Sequence, residues 1–87
     1  MSAAAVIQDV SKIDELSTSS TGVQAAKLQE CMVLMDPELG TPAVWLDHKL
    51  KTTRNSGEVT WMGHDLESGR LETIRLRTSM IVAVLAA

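Results

Sequence analysis

The sequence predicts an α+β fold in which two N-terminal helices pack on a three-stranded antiparallel β-meander. Three observations support this prediction. Residues 3–16 carry apolar side chains at helical spacing, the chain from residue 43 onwards alternates apolar and polar residues, and short turns rich in Asn and Gly separate the alternating segments. Helices gathered on one side of an antiparallel sheet define this class. The whole chain, residues 1–87, is expected to form a single small domain.

The first predicted helix covers residues 3–16. Its apolar residues recur three and one positions apart: Ala3, Val6, Ile7, Val10, Ile13 and Leu16. A helix of this length is marginal alone in water, so it has to dock on a sheet or on a second copy. The Ser- and Thr-rich run at residues 17–22 then competes for backbone hydrogen bonds and interrupts the helix. Residues 1–22 are therefore predicted to form a mobile N-terminal helical arm and linker.

The second predicted helix begins at Thr21, because Thr21 and Gln24 have the spacing of a capping box. It continues to about Leu34 and ends before a break at residues 36–42, where Asp-Pro, Gly and a second Pro cluster. A short apolar run is ambiguous between helix and strand. In the alternative interpretation, the helix ends near Gln29 and residues 31–35 form a buried strand.

Three strands are predicted in the second half of the chain. Residues 43–53 alternate, with His48 as the imperfect core position, and residues 59–62 follow after a turn. The loop at residues 63–69 leads into a long final strand that extends to about residue 85. Five of its apolar residues fall on even positions: Ile74, Leu76, Met80, Val82 and Val84. The alternative fold is a small five-stranded β-barrel with an N-terminal helix. It requires a strand at residues 30–35 and a bend near Thr78 and Ser79.

Composition predicts a soluble, intracellular and cytoplasmic protein. The chain has one cysteine, Cys31, so it cannot form an intrachain disulfide, and its apolar runs are too short to cross a membrane. Residues 1–7 lack the basic start of a signal peptide. Two Trp are present without any Phe or Tyr, which predicts an aliphatic core with little spare stability and favours self-association.

The sequence does not indicate catalysis, a metal or a cofactor. The ligand types lack the paired spacing of metal sites, and glycine-rich phosphate loops and nucleophile motifs are absent. Cys31 lies in an apolar run and is interpreted as a small buried hydrophobic residue. Asp47 precedes His48 and His64 precedes Asp65, and neighbours on a strand face opposite sides, so neither pair is expected to act jointly. The protein is therefore predicted to be non-enzymatic.

The leading functional prediction is a protein–protein interaction or assembly module that acts as a homo-oligomer. The final strand is longer than its predicted partner, and an unpaired apolar strand calls for cover from another molecule. The predicted partner-binding residues are Trp45, Met80, Val82 and Val84. This profile suits a small accessory inhibitor or adaptor of another protein, of the kind that viruses and phages also encode.

The alternative prediction is a small β domain that binds nucleic acid. Six of the eight cations fall in the second half of the chain. The predicted contacts are Lys49, Lys51, Arg54, Arg75 and Arg77, with Trp45 available to stack on a base. Acidic residues intermix with these cations, which favours a solvated charged surface over a binding surface.

Overall fold

The computed structural model describes residues 7–13, 16, 18–50 and 57–86, and within them six antiparallel strands form one sheet. The strands are β1 (Ser20–Gln24), β2 (Val33–Asp36), β3 (Thr41–Lys49), β4 (Glu58–Asp65), β5 (Leu71–Arg77) and β6 (Ile81–Leu85). Their order in the sheet is β1-β6-β2-β3-β4-β5. A single 3-10 turn, Ala25–Lys27, follows β1. The β2–β5 segment is a simple meander, whereas β6 crosses over to lie between β1 and β2.

The predicted α+β class is wrong, because the described residues fold as sheet. The stretch assigned to the second helix forms β1, the 3-10 turn and β2, and residues 7–13 contain no helix. The remaining residues of the first predicted helix, apart from Leu16, lie outside the described residues. The capping-box spacing at Thr21 was misleading, since β1 and β2 both gain backbone partners from β6. Such long-range pairing overrides weak local helix propensity.

The predicted long final strand is two strands. Its alternation is as expected, with Ile74, Leu76, Val82 and Val84 all buried. A turn at residues 78–80 divides it, and the Met80 N–H donates to the carbonyl of residue 77 at 3.1 Å. The five-stranded alternative included this bend and a strand near residues 30–35. It is also wrong as a whole, because the described sheet has six strands and residues 7–13 are not helical.

Two hairpins of the meander are closed by the same five-residue pattern, Asp-x-Glu-x-Gly, at residues 36–40 and 65–69. In each turn the aspartate carboxylate accepts from the N–H two residues later, at 2.9 and 2.8 Å respectively. The glycine N–H donates back to the aspartate carbonyl at 2.8 and 2.7 Å, with φ of 67° and 76°. Glycine adopts this left-handed conformation without a steric penalty. Since Val44 pairs with Asp65, both turns lie at the same end of the meander.

The core lies on one face of the sheet, which we call the inner face. The opposite face is the outer face. The buried side chains of the inner face come from β2 to β6 and from the 3-10 region: Ala25, Leu28, Leu34, Val44, Leu46, Val59, Trp61, Ile74, Leu76, Met80, Val82 and Val84. A flat sheet would leave such a face in water, so the sheet must curl around it. The Ala26 N–H donates to the Thr78 carbonyl at 3.2 Å, which brings the 3-10 turn against the end of β5.

The N-terminal segment completes the sheet where β2 and β6 separate. Among the described residues, Leu34–Val84 is the one residue pair that joins these strands. Beyond it, the Val10 N–H donates to the Ile81 carbonyl at 2.7 Å, and the Ile81 N–H donates to an Asp9 carboxylate oxygen at 3.3 Å. Val10 is 3% exposed in a small cluster on the outer face. The segment thus satisfies backbone groups that β2 does not reach.

Anchoring of this segment is expected to weaken in acid. Hydrogen bonds from the Ser11 backbone N–H, and then from its side chain, hold the pKa of Asp9 below its ordinary value of 3.8. A lowered pKa contributes stability that is present above the unfolded-state value and is lost as pH falls through the folded-state value. The difference in unfolding free energy between wild type and Asp9→Asn, measured in urea, should therefore shrink as pH drops below 3.8. A constant difference would mean that the carboxylate charge does not anchor the segment.

Candidate functional site: the Trp45 row on the outer face

Four side chains lie in a row across the outer face of the meander. The register pairs Val33 with Trp45, Trp45 with His64, and His64 with Leu71. Trp45 is half-buried, while Leu71 is 53% exposed. The rings of Trp45 and His64 are in contact, with centroids 5.3 Å apart and planes tilted by 42°. We call these four residues the Trp45 row. It is an apolar strip with an aromatic centre that faces solvent.

A β-bulge next to the Trp45 row places a second histidine beside it. The register shifts between Leu46 and His48, so one extra residue, Asp47, enters β3. A bulge changes which face the following residues occupy. His48 therefore pairs with Met62 on the outer face and is exposed, and the prediction that it points into the core is wrong.

The bulge also joins Asp47 to both histidines. One Asp47 carboxylate oxygen lies 2.8 Å from His48 Nδ1, and the other lies 4.0 Å from His64 Nε2. The expectation that Asp47 and His48 do not act jointly is therefore wrong, because it assumed a regular strand. The two imidazole side chains are 50% and 40% exposed, so solvent reaches the whole cluster. This arrangement places hydrogen-bonding groups at the edge of an apolar strip.

Three of the four predicted partner-binding residues lie in the core. Met80, Val82 and Val84 are 8%, 1% and 4% exposed, and they contact their own chain. Their own chain covers them, because β6 is paired with β1 on one side and joined to β2 on the other. The excess length of the predicted final strand therefore no longer supports self-association. Trp45 alone of the four lies on the outer face.

The predicted nucleic-acid contacts are only partly brought together. Arg75 and Arg77 are exposed on the outer face of β5, the face that carries Trp45. Lys49 pairs with the buried Trp61 at the end of β3, since the bulge shifts it off the outer-face register. Lys51 and Arg54 lie outside the described residues.

An apolar cavity of about 380 Å³ opens where β2 and β6 separate, on the side away from the N-terminal segment. Its lining residues are Thr21, Val23, Cys31, Met32, Val33, Val84, Leu85 and Ala86. Cys31 is exposed, so its interpretation as a buried residue is wrong. It has a φ of 69° in the turn before β2, where its N–H donates to the Leu46 carbonyl at 2.9 Å. No Gly, Pro, Asn, Asp or Ser lies within four residues of Cys31 to mark this turn in the sequence.

Within the described ranges, no group of three or more His, Cys, Asp or Glu side chains is placed to hold a metal ion. No helix in this part of the chain is long and apolar enough to cross a membrane. The six-stranded sheet and the Trp45 row on its outer face define a small all-β protein with a solvent-facing tryptophan strip. No protein-family model, curated protein or solved structure matches the chain.

Proposed function

We propose that this protein is a non-enzymatic interaction module that binds a protein partner through the Trp45 row. The observation that carries the proposal is the contrast between its two tryptophans. Trp61 is 2% exposed and fills the core, whereas Trp45 is half-buried on the outer face beside His64 and the exposed Leu71. Aromatic side chains of this kind are enriched among the residues that dominate binding energy at interfaces.

The openness of the polar cluster supports the non-enzymatic part of the proposal. The electrostatic interactions that assist catalysis are stronger in sites from which water is excluded. His48 and His64 are half exposed, and the described cavity is lined mainly by aliphatic side chains. An Asp47 carboxylate oxygen lies 2.8 Å from His48 Nδ1. Such a contact fixes the orientation of a side chain, and binding a partner requires this as much as catalysis does.

The charges around the Trp45 row indicate the chemistry of the partner. Arg75 and Arg77 lie on the same face, toward the far end of β5, whereas the turn that carries Asp65 and Glu67 adjoins His64 and Leu71. Interfaces combine an apolar centre with complementary charges at the rim. The proposed partner therefore presents an apolar side chain to Trp45 with charged groups of both signs around it, and this protein acts on it as a small adaptor or inhibitor.

The test uses the full chain with an affinity tag to capture a partner, followed by titration of the recovered partner against variants. Trp45→Ala is expected to weaken binding about tenfold or more, because it removes the anchor ring. Ile13→Ala is the matched control, since Ile13 is 44% exposed but lies in the N-terminal segment. Equal affinity of wild type and Trp45→Ala for the partner would refute the proposal.

The nucleic-acid alternative retains one supporting observation, which is that Arg75 and Arg77 share the face of Trp45. It predicts binding of generic single-stranded oligonucleotides that weakens steeply with added salt, because phosphate contacts release counterions. Arg75→Glu should then reduce the affinity at low salt. If oligonucleotides do not bind at low salt, this alternative is excluded.

A further inference from the structure

Charge is separated along the length of the meander. The two hairpin turns at one end carry Asp36, Glu38, Asp65 and Glu67. Arg70 is the one cation in residues 36–40 and 65–70. We call this the acidic end. Glu38 and Glu67 are exposed, whereas the two aspartates are tied into their turns by hydrogen bonds to backbone N–H groups.

The acidic end also presents apolar side chains. Leu39 lies in the turn at residues 36–40 and is 74% exposed, and Leu66 lies in the turn at residues 65–69 and is 46% exposed. Leu39 is the most exposed of the large hydrophobic residues described. Two exposed leucines beside two exposed glutamates form a surface suited to a partner that is both basic and partly apolar.

The opposite end of the same strands is basic and partly apolar. β3 ends at Lys49, and β5 ends at Arg77. The 3-10 turn brings Lys27 to this end through the hydrogen bond between Ala26 and Thr78. We call Lys27, Lys49 and Arg77 the basic end; all three are exposed, and the half-buried Leu50 follows Lys49. Glu58 lies opposite Arg77 in the strand register, and the three cations outnumber this one acidic residue.

We propose that the acidic end of one molecule docks on the basic end of a second copy. The occupant is identified by charge complementarity, since the two ends carry opposite charges and each adds leucine to the contact. The two surfaces differ and lie at opposite ends, so the contact is heterologous and repeats from molecule to molecule into a ring or a filament. It uses none of the Trp45 row and goes beyond the proposed function.

Two charge-reversed proteins test this assembly. Glu38→Lys/Glu67→Lys makes both ends basic, and Lys27→Glu/Lys49→Glu makes both ends acidic. All four side chains are exposed, and circular dichroism verifies that each variant is folded. Sedimentation velocity over a concentration series measures self-association at low and high salt. The wild type is expected to associate at low salt and to dissociate at high salt, because exposed charges are screened.

Each reversed protein alone is expected to show a dissociation constant about tenfold higher or more, because like charges then meet. An equimolar mixture of the two should associate again, since a basic end meets an acidic end at every contact. A wild type that stays monomeric at low salt, or a mixture that stays dissociated, overturns the proposal. Trp45→Ala should leave the association unchanged. The effect of Trp45→Ala on self-association therefore tests the assembly independently of partner binding through the Trp45 row.

Discussion

Replacement of Trp61 by alanine is expected to cost about 3–5 kcal/mol of the free energy of unfolding. Trp61 is 2% exposed and is the largest fully buried side chain described. It pairs with Lys49 on β3 and Ile74 on β5, so its ring supports the middle of the meander. Small domains have total stabilities of about 5–15 kcal/mol, and the loss of this ring uses much of that margin. Urea unfolding followed by far-ultraviolet circular dichroism measures the change.

Trp61→Phe is the informative control. Among the described residues, Trp61 Nε1 has no hydrogen-bond acceptor although it is buried. An unpaired buried donor costs free energy, and phenylalanine removes the donor while keeping much of the ring. Its cost is therefore expected to stay below about 2 kcal/mol. If Trp61→Phe proves as damaging as Trp61→Ala, then the indole N–H is paired and contributes to stability.

The strands of the meander are the part of the fold that the sequence predicts best. Alternation in residues 43–46, 58–65 and 71–77 follows the two faces of a half-buried strand, and it separates Trp61 in the core from Trp45 outside. The Asp-x-Glu-x-Gly pattern occurs twice, and its repetition could have indicated that both turns are alike.

The first half of the chain could not be predicted in the same way. β1 and β2 are short, and the residues of β6 that pair with them lie 50 to 65 positions further along the chain. Local propensity carries no information about such pairing. The sequence shows an apolar run at residues 31–35, but its strand character depends on β3 and β6.

The polar part of the candidate site depends on one inserted residue. Regular alternation assigns His48 to the core, and the bulge at Asp47 reverses this assignment. The contact between Trp45 and His64 requires the register of β3 and β4, which the sequence leaves open. Trp45 could therefore be identified from the sequence as an outward-facing anchor, whereas the histidines and the carboxylate around it could not.

Substitution of Gly63 is the second change with a large expected effect. Gly63 lies on the inner face of β4, where a Cβ atom would be 2.6 Å from Val44 Cγ1 and 3.2 Å from the Trp45 carbonyl oxygen. Neither distance is tolerated without movement, and one of the two neighbours is backbone. Gly63→Ala is expected to cost about 1–3 kcal/mol, as overpacking of a close-packed core does. Gly63→Val adds two further methyl groups to the same space and is expected to prevent folding.

The double variant Gly63→Ala/Val44→Ala separates overpacking from other causes. Val44→Ala removes the nearest clashing methyl group, so the double variant should be more stable than the sum of the two single effects predicts. Gly69→Ala is the contrasting control. Its Cβ has no heavy atom within 4 Å, and its cost comes from a φ of 76° instead. Val44→Ala should therefore not rescue Gly69→Ala. A harmless Gly63→Ala would place residue 63 away from Val44, and the β3–β4 register that brings His64 to Trp45 would then be wrong.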